Sequence, residues 1–133
     1  MTRRALSAVE VEVRLPVWDA IADLFLDTVV DTPMLQRVAD ELARSPFSID
    51  ELRQIYLFEV APVVHRNLKI VAGEWAGFGR EWLRERIPAY LARGSWLFHG
   101  WSASPLGRRW HTFQTRADFQ SVILQVAAIR APG

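Results

Sequence analysis

The chain has 133 residues, no cysteine, and 16 Lys and Arg residues against 15 Asp and Glu residues, which gives a formal net charge of +1. The length suits one domain spanning residues 1–133, and a composition that is 50% hydrophobic and 23% charged excludes a disordered chain and a membrane protein. The lack of cysteine excludes disulfides and thiol catalysis, and near neutrality argues against a general polyanion binder. Residues 1–14 lack the apolar run of a secretory signal, so we expect a cytoplasmic protein with no membrane contact.

The first thirty residues predict an extended segment followed by a helix. Three valines alternate with charged residues from Val9 to Val13, which is the period of a half-exposed strand or of an extended arm within residues 1–14. A helix is predicted to open at Pro16, because proline is accepted in a first helical turn, and to run to about Val30. Its apolar face is formed by Val17, Trp18, Ile21, Leu24 and Phe25.

Three helices are predicted in the middle of the chain. Thr32, followed by Pro33, is predicted to cap the second helix, which ends near Ser45-Pro46. Ser48 with Glu51 forms a capping box that begins the third helix. Pro62 should break or kink the third helix, because it lacks an amide donor and clashes with the preceding turn. A fourth helix is predicted to follow Pro62. The predicted inward residues of these helices are Met34, Leu35, Val38, Leu42, Leu52, Ile55, Tyr56, Val64, Leu68 and Val71.

Two further helices are predicted on either side of an aromatic segment. A fifth helix carries Trp82, is distorted by Pro88 and ends near Gly94. Residues 95–114 lose the helical period and suggest a small β-hairpin or an ordered loop. Thr115 is predicted to cap a last helix that turns Phe119, Val122, Ile123 and Val126 inward. The predicted fold is therefore mainly α, a compact single-domain bundle of five or six short helices.

Four aspartates, Asp19, Asp23, Asp27 and Asp31, recur at intervals of four residues. Residues four apart are neighbours on a helix, so the first three would form an acidic stripe, at a cost of roughly 0.2–0.5 kcal/mol per like-charged pair. Arginines of the same chain or a basic partner should compensate that repulsion. A solvated helix face and a partner-binding face both fit the pattern. No second helix rich in carboxylates is indicated, so no metal site is predicted.

A second candidate site is a pocket formed by Glu59, His65, Asn67 and Glu74. A catalytic pair of carboxylates needs convergent geometry and raised pKa values, neither of which a sequence specifies. Asn67 lies close to an apolar helix stripe, where a buried amide needs a hydrogen-bond partner. It would either satisfy backbone carbonyls freed by Pro62 or bind a ligand.

A third candidate site is the aromatic and basic segment that contains Trp101, Arg108, Arg109 and Trp110. Such residues stack nucleobases and hold phosphates in proteins that bind single strands. Tryptophans in a small helical domain also serve as core anchors, so both interpretations stay open.

No sequence motif indicates an enzyme. The chain has no Gly-x-Ser-x-Gly, Ser-x-x-Lys, Gly-x-Gly-x-x-Gly or His-Glu-x-x-His pattern. We therefore expect a non-enzymatic protein that needs no cofactor. The charges, however, are unevenly distributed: residues 1–60 hold 11 acids and 6 bases (net −5), whereas residues 61–133 hold 4 acids and 10 bases (net +6). The two halves either neutralise each other across the fold or present opposite charges to partners.

Two stretches carry a family resemblance. The first runs from Leu15 to Thr28, and the second includes Glu59-Val60-Ala61-Pro62-Val63, Asn67-Leu68 and Ala72-Gly73-Glu74-Trp75-Ala76-Gly77-Phe78. Over about residues 14–88 the chain resembles a family of small bacterial proteins classed as a domain of unknown function, and the segment from Ser95 onward lies outside the resemblance. The resemblance implies a small cytosolic domain without a cofactor, and it transfers no catalytic residue.

Small proteins of this kind often bind another macromolecule. The leading hypothesis is an immunity protein that neutralises a cognate toxin, with the acidic first helix facing a basic partner, because charge complementarity speeds encounter and sets specificity. The alternatives are a nucleic-acid-associated module using the segment around Arg108, and an enzyme or small-molecule binder using the pocket around Glu59.

Overall fold

The structure is a computed structural model that describes residues 6–26, 31–64, 79–93 and 115–131. Its helices, in chain order, are α1 (Ala8–Leu26), α2 (Thr32–Arg44), α3 (Ile49–Gln54), a π-helical segment (Ile55–Val60), α4 (Arg80–Arg93) and α5 (Arg116–Arg130). The described part of the chain contains no strand, so the predicted all-α fold class is confirmed. The predicted hairpin or loop over 95–114 and the end of the first helix near Val30 lie outside the described residues.

The prediction of a strand or extended arm within residues 1–14 is wrong from residue 8 onward, because α1 begins at Ala8. The helix begins there because Ser7 and Glu10 form a capping box at its N-terminus. The Ser7 amide donates to Glu10 Oε1 at 2.9 Å, and the Glu10 amide donates to Ser7 Oγ at 3.1 Å. Two amides that would lack partners at a helix N-terminus are thereby satisfied.

The burial of α1 follows helical rather than strand spacing. Val11, Leu15 and Trp18 are buried, whereas Val9 is 72% exposed. The helix also continues through Pro16, which was predicted to lie in its first turn. Proline removes one backbone donor, so α1 tolerates a lost hydrogen bond at this point. Packing of its apolar side against the core compensates for that loss.

The two ends of α2 agree with the predicted boundaries, but its cap is Asp31 rather than Thr32. Asp31 Oδ1 accepts a hydrogen bond of 3.0 Å from the Met34 amide. At the other end of α2, the guanidinium of Arg130, a residue of α5, donates hydrogen bonds to the backbone carbonyls of Leu42, Ala43 and Ser45. The residues of α2 that are buried are Met34, Val38, Ala39 and Leu42.

The capping box at the start of α3 is present as predicted, with both Ser48–Glu51 hydrogen bonds formed. Of the two alternatives predicted for Pro62, a break or a kink, the break does not occur, because residues 61–64 are α-helical. Before the proline, the backbone instead forms the π-helical segment. At its end the Ala61 amide donates to the carbonyl of Tyr56, five residues earlier. A single π turn inside an α-helix is a known way to accommodate a local disturbance of the helical hydrogen bonds, such as the one that a proline causes.

Two long helices complete the described fold. α4 matches the predicted fifth helix, contains Pro88 and buries Leu83 and Ile87 completely. α5 turns its predicted residues Phe119, Val122, Ile123 and Val126 inward. Thr115 precedes α5 as predicted, but its hydroxyl does not cap the helix. The Thr115 hydroxyl instead lies 2.7 Å from the Tyr56 hydroxyl in the core, and the hydrogen bond between them satisfies both buried groups.

One hydrophobic core includes residues from all of these helices. α2 packs mainly on α5, and α1 contacts α2, α4 and the π-helical segment. The ring of Tyr56 stacks on Phe119, with centroids 3.9 Å apart. Because Trp18 and Ile21 are fully buried, one side of α1 is fixed inward. Glu12, Asp19 and Asp23 are left along the seams with α2 and α4.

Candidate functional site

A surface groove of about 190 Å³ lies between α1 and α2. Its floor includes the buried residues Ala20 and Val38. The described charged residues that line it are Asp19, Asp23, Arg37 and Glu41. Three carboxylates and one guanidinium give these residues a formal charge of −2. We refer to this feature as the α1–α2 groove.

Helical spacing explains why these four side chains meet. Asp19 and Asp23 lie one turn apart on α1, and Arg37 and Glu41 lie one turn apart on α2. Packing of α1 on α2 brings the two pairs to the same seam. Part of the predicted acidic stripe is therefore assembled with a carboxylate from α2, which spacing on the first helix alone did not indicate.

Asp19 also faces an arginine of the same chain. Arg80 Nε of α4 donates to Asp19 Oδ2 at 3.0 Å, and the side chains are 52% and 31% exposed. One turn further along α4, Arg84 contacts both carboxylate oxygens of Glu12, at 2.9 and 3.2 Å, and also pairs with Glu81. At these contacts the acidic first half and the basic second half of the chain neutralise each other.

The other two members of the predicted stripe do not join the groove. Asp31 caps α2 through the Met34 amide, so a structural role accounts for its position. Asp27 lies outside the described residues. Of the four aspartates, the structure brings Asp19 and Asp23 together.

Glu59, predicted to belong to a pocket, lies on the π-helical segment and links it to α1. The indole N–H of Trp18 donates to Glu59 Oε1 at 2.9 Å, and Arg14 Nε donates to Glu59 Oε2 at 3.4 Å. The Glu59 side chain is only 15% exposed. The Arg14 guanidinium also lies 5.2 Å from the centroid of the Phe47 ring. Both carboxylate oxygens are therefore engaged in holding two helical elements together.

The remaining predicted site residues fall outside the described residues. These are His65, Asn67 and Glu74 of the pocket, and Trp101, Arg108, Arg109 and Trp110 of the nucleic-acid hypothesis. Within the described ranges, no group of three or more His, Asp or Glu side chains is arranged to hold a metal ion. None of the described helices combines the length and apolar character needed to cross a membrane.

Arg14, Arg80 and Arg84 pair with these acids, although none of the three was a predicted site residue. The contacts join residues 45, 61 and 72 positions apart, and no local pattern encodes separations of that size. One indirect signal was available for Glu59. It stands among the buried residues Ile55, Tyr56 and Val60, where a carboxylate requires a donor.

The described fold and groove define an all-α protein with an acidic surface groove and without a recognised catalytic motif. The chain belongs to the family of the domain of unknown function DUF7079, whose model matches residues 12–125. This match confirms the resemblance to a family of unknown function and extends it beyond residues 14–88. The segment from Ser95 onward, expected to lie outside the family pattern, is included up to residue 125. No curated protein and no solved structure is significantly similar to the chain.

Proposed function

We propose that this protein is a non-enzymatic binding protein whose α1–α2 groove receives a basic segment of a protein partner. The observation that carries the proposal is the convergence of Asp19, Asp23 and Glu41 on one groove. With Arg37 also in its lining, the groove keeps a formal charge of −2, and an excess of one sign of charge on a concave surface attracts oppositely charged groups. A lysine or arginine of the partner would enter beside these carboxylates.

The ion pairs that Asp19 and Glu41 form do not prevent such an exchange. Asp19 pairs with Arg80 and Glu41 with Arg44, at 3.0 and 3.4 Å, in contacts where both arginine side chains are more than half exposed. Ion pairs of this kind contribute only about 0–1 kcal/mol. A partner's cation can therefore replace the chain's own arginine at small cost, because one exposed ion pair is exchanged for another.

More specifically, we propose that the protein is an immunity protein that acts in the cytoplasm and neutralises a cognate toxin with a basic surface. The support is the small size, the helical fold and the acidic groove. Complementary charge raises the association rate of such pairs and suppresses binding to wrong partners. In this proposal the protein has no catalytic residue and needs no cofactor, because inhibition requires only that the toxin surface be covered.

The experiment pairs this protein with the product of the adjacent gene. Co-expression should relieve growth inhibition by that product, and the purified proteins should form a complex whose affinity falls with salt. The double substitution Asp23→Asn with Glu41→Gln should weaken binding by roughly tenfold, or about 1.4 kcal/mol. The matched control is Asp50→Asn on α3, because the Asp50 side chain is 92% exposed and lies outside the groove.

Two results would overturn the proposal. If co-expression gives no relief and the purified proteins do not associate, the immunity role is wrong. If they associate but the groove variant and the Asp50→Asn control bind equally well, the partner uses another surface.

A further inference from the structure

No further inference is drawn: the strongest candidate, the exposed apolar face at the start of α1 around Val9 and Val13, carries nothing because nothing in the structure shows what covers it.

Discussion

The indole N–H of Trp18 donates a hydrogen bond of 2.9 Å to Glu59 Oε1, although the two residues are 41 positions apart. Trp18 is fully buried, so its N–H needs an acceptor inside the protein. Glu59 supplies that acceptor, and its carboxylate also accepts a hydrogen bond from Arg14 Nε. Its carboxylate is thus a link between α1 and the π-helical segment.

Replacement of Glu59 by alanine should lower the free energy of unfolding by about 1–3 kcal/mol, because it leaves a buried donor without its acceptor. Glu59→Gln keeps an oxygen acceptor for Trp18 and should cost less. Urea unfolding followed by tryptophan fluorescence measures both. Glu85→Ala is the control, since Glu85 is an exposed residue of α4. Equal stability of the Glu59→Ala and Glu85→Ala variants would show that the link contributes nothing.

Ser7→Ala should destabilise the protein by about 1 kcal/mol, because it removes the acceptor that caps α1. Ser7→Asp keeps a side-chain acceptor at the cap and should retain most of the stability. Urea unfolding, together with the helical signal in circular dichroism, tests the pair. A Ser7→Ala protein with unchanged stability and helicity would contradict a helix that starts at Ala8.

The contact between Glu12 and Arg84 should show a coupling energy of about 0.2–1 kcal/mol, as exposed ion pairs do. A double-mutant cycle with Glu12→Ala, Arg84→Ala and the combined variant measures it. The coupling should shrink in raised salt, because salt screens exposed charges. A coupling that is zero in low salt, or that does not respond to salt, would be inconsistent with the ion pair.

Arg130→Ala should destabilise the end of α2 by about 1 kcal/mol, because charged donors stabilise the free carbonyls at a helix C-terminus. The Arg130 guanidinium reaches the carbonyls of Leu42, Ala43 and Ser45 at 3.1–3.3 Å. Hydrogen exchange of the amides in α2 and urea unfolding should both report the loss. Gln120→Ala, at an exposed position of α5, should leave both measurements near the wild-type values.

Local chemistry explains why α2 and α3 were predictable. The start of each of these helices is marked by short polar residues that bond to nearby amides, as Ser48 and Glu51 do, and such signals lie within a few residues of sequence. The same signal was present at Ser7 and Glu10. The alternation of Val9, Val11 and Val13 does not by itself distinguish a strand from a helix, because five residues are too few to separate a period of two from one of 3.6.

Contacts between helices explain what was not predictable. The α1–α2 groove depends on how α1 packs on α2, and spacing along one helix shows only that Asp19 and Asp23 are neighbours. The π turn before Pro62 likewise depends on the core, because the same segment must place Tyr56 beside Phe119 and Glu59 beside Trp18. Neither requirement is visible in local sequence.

Arg80 and Arg84, two of the four arginines of α4, show how α1 and α4 align. The earlier acid of α1, Glu12, meets the later arginine, Arg84, while Asp19 meets Arg80, so the two helices run in opposite directions. The acids are separated by about 10 Å along α1 and the arginines by about 6 Å along α4. A slide of one helix along the other by one turn, about 5.4 Å, would move both arginines away from their acids. Each exposed pair contributes only about 0–1 kcal/mol, so the two contacts add to the packing of the buried residues in favouring the observed longitudinal register.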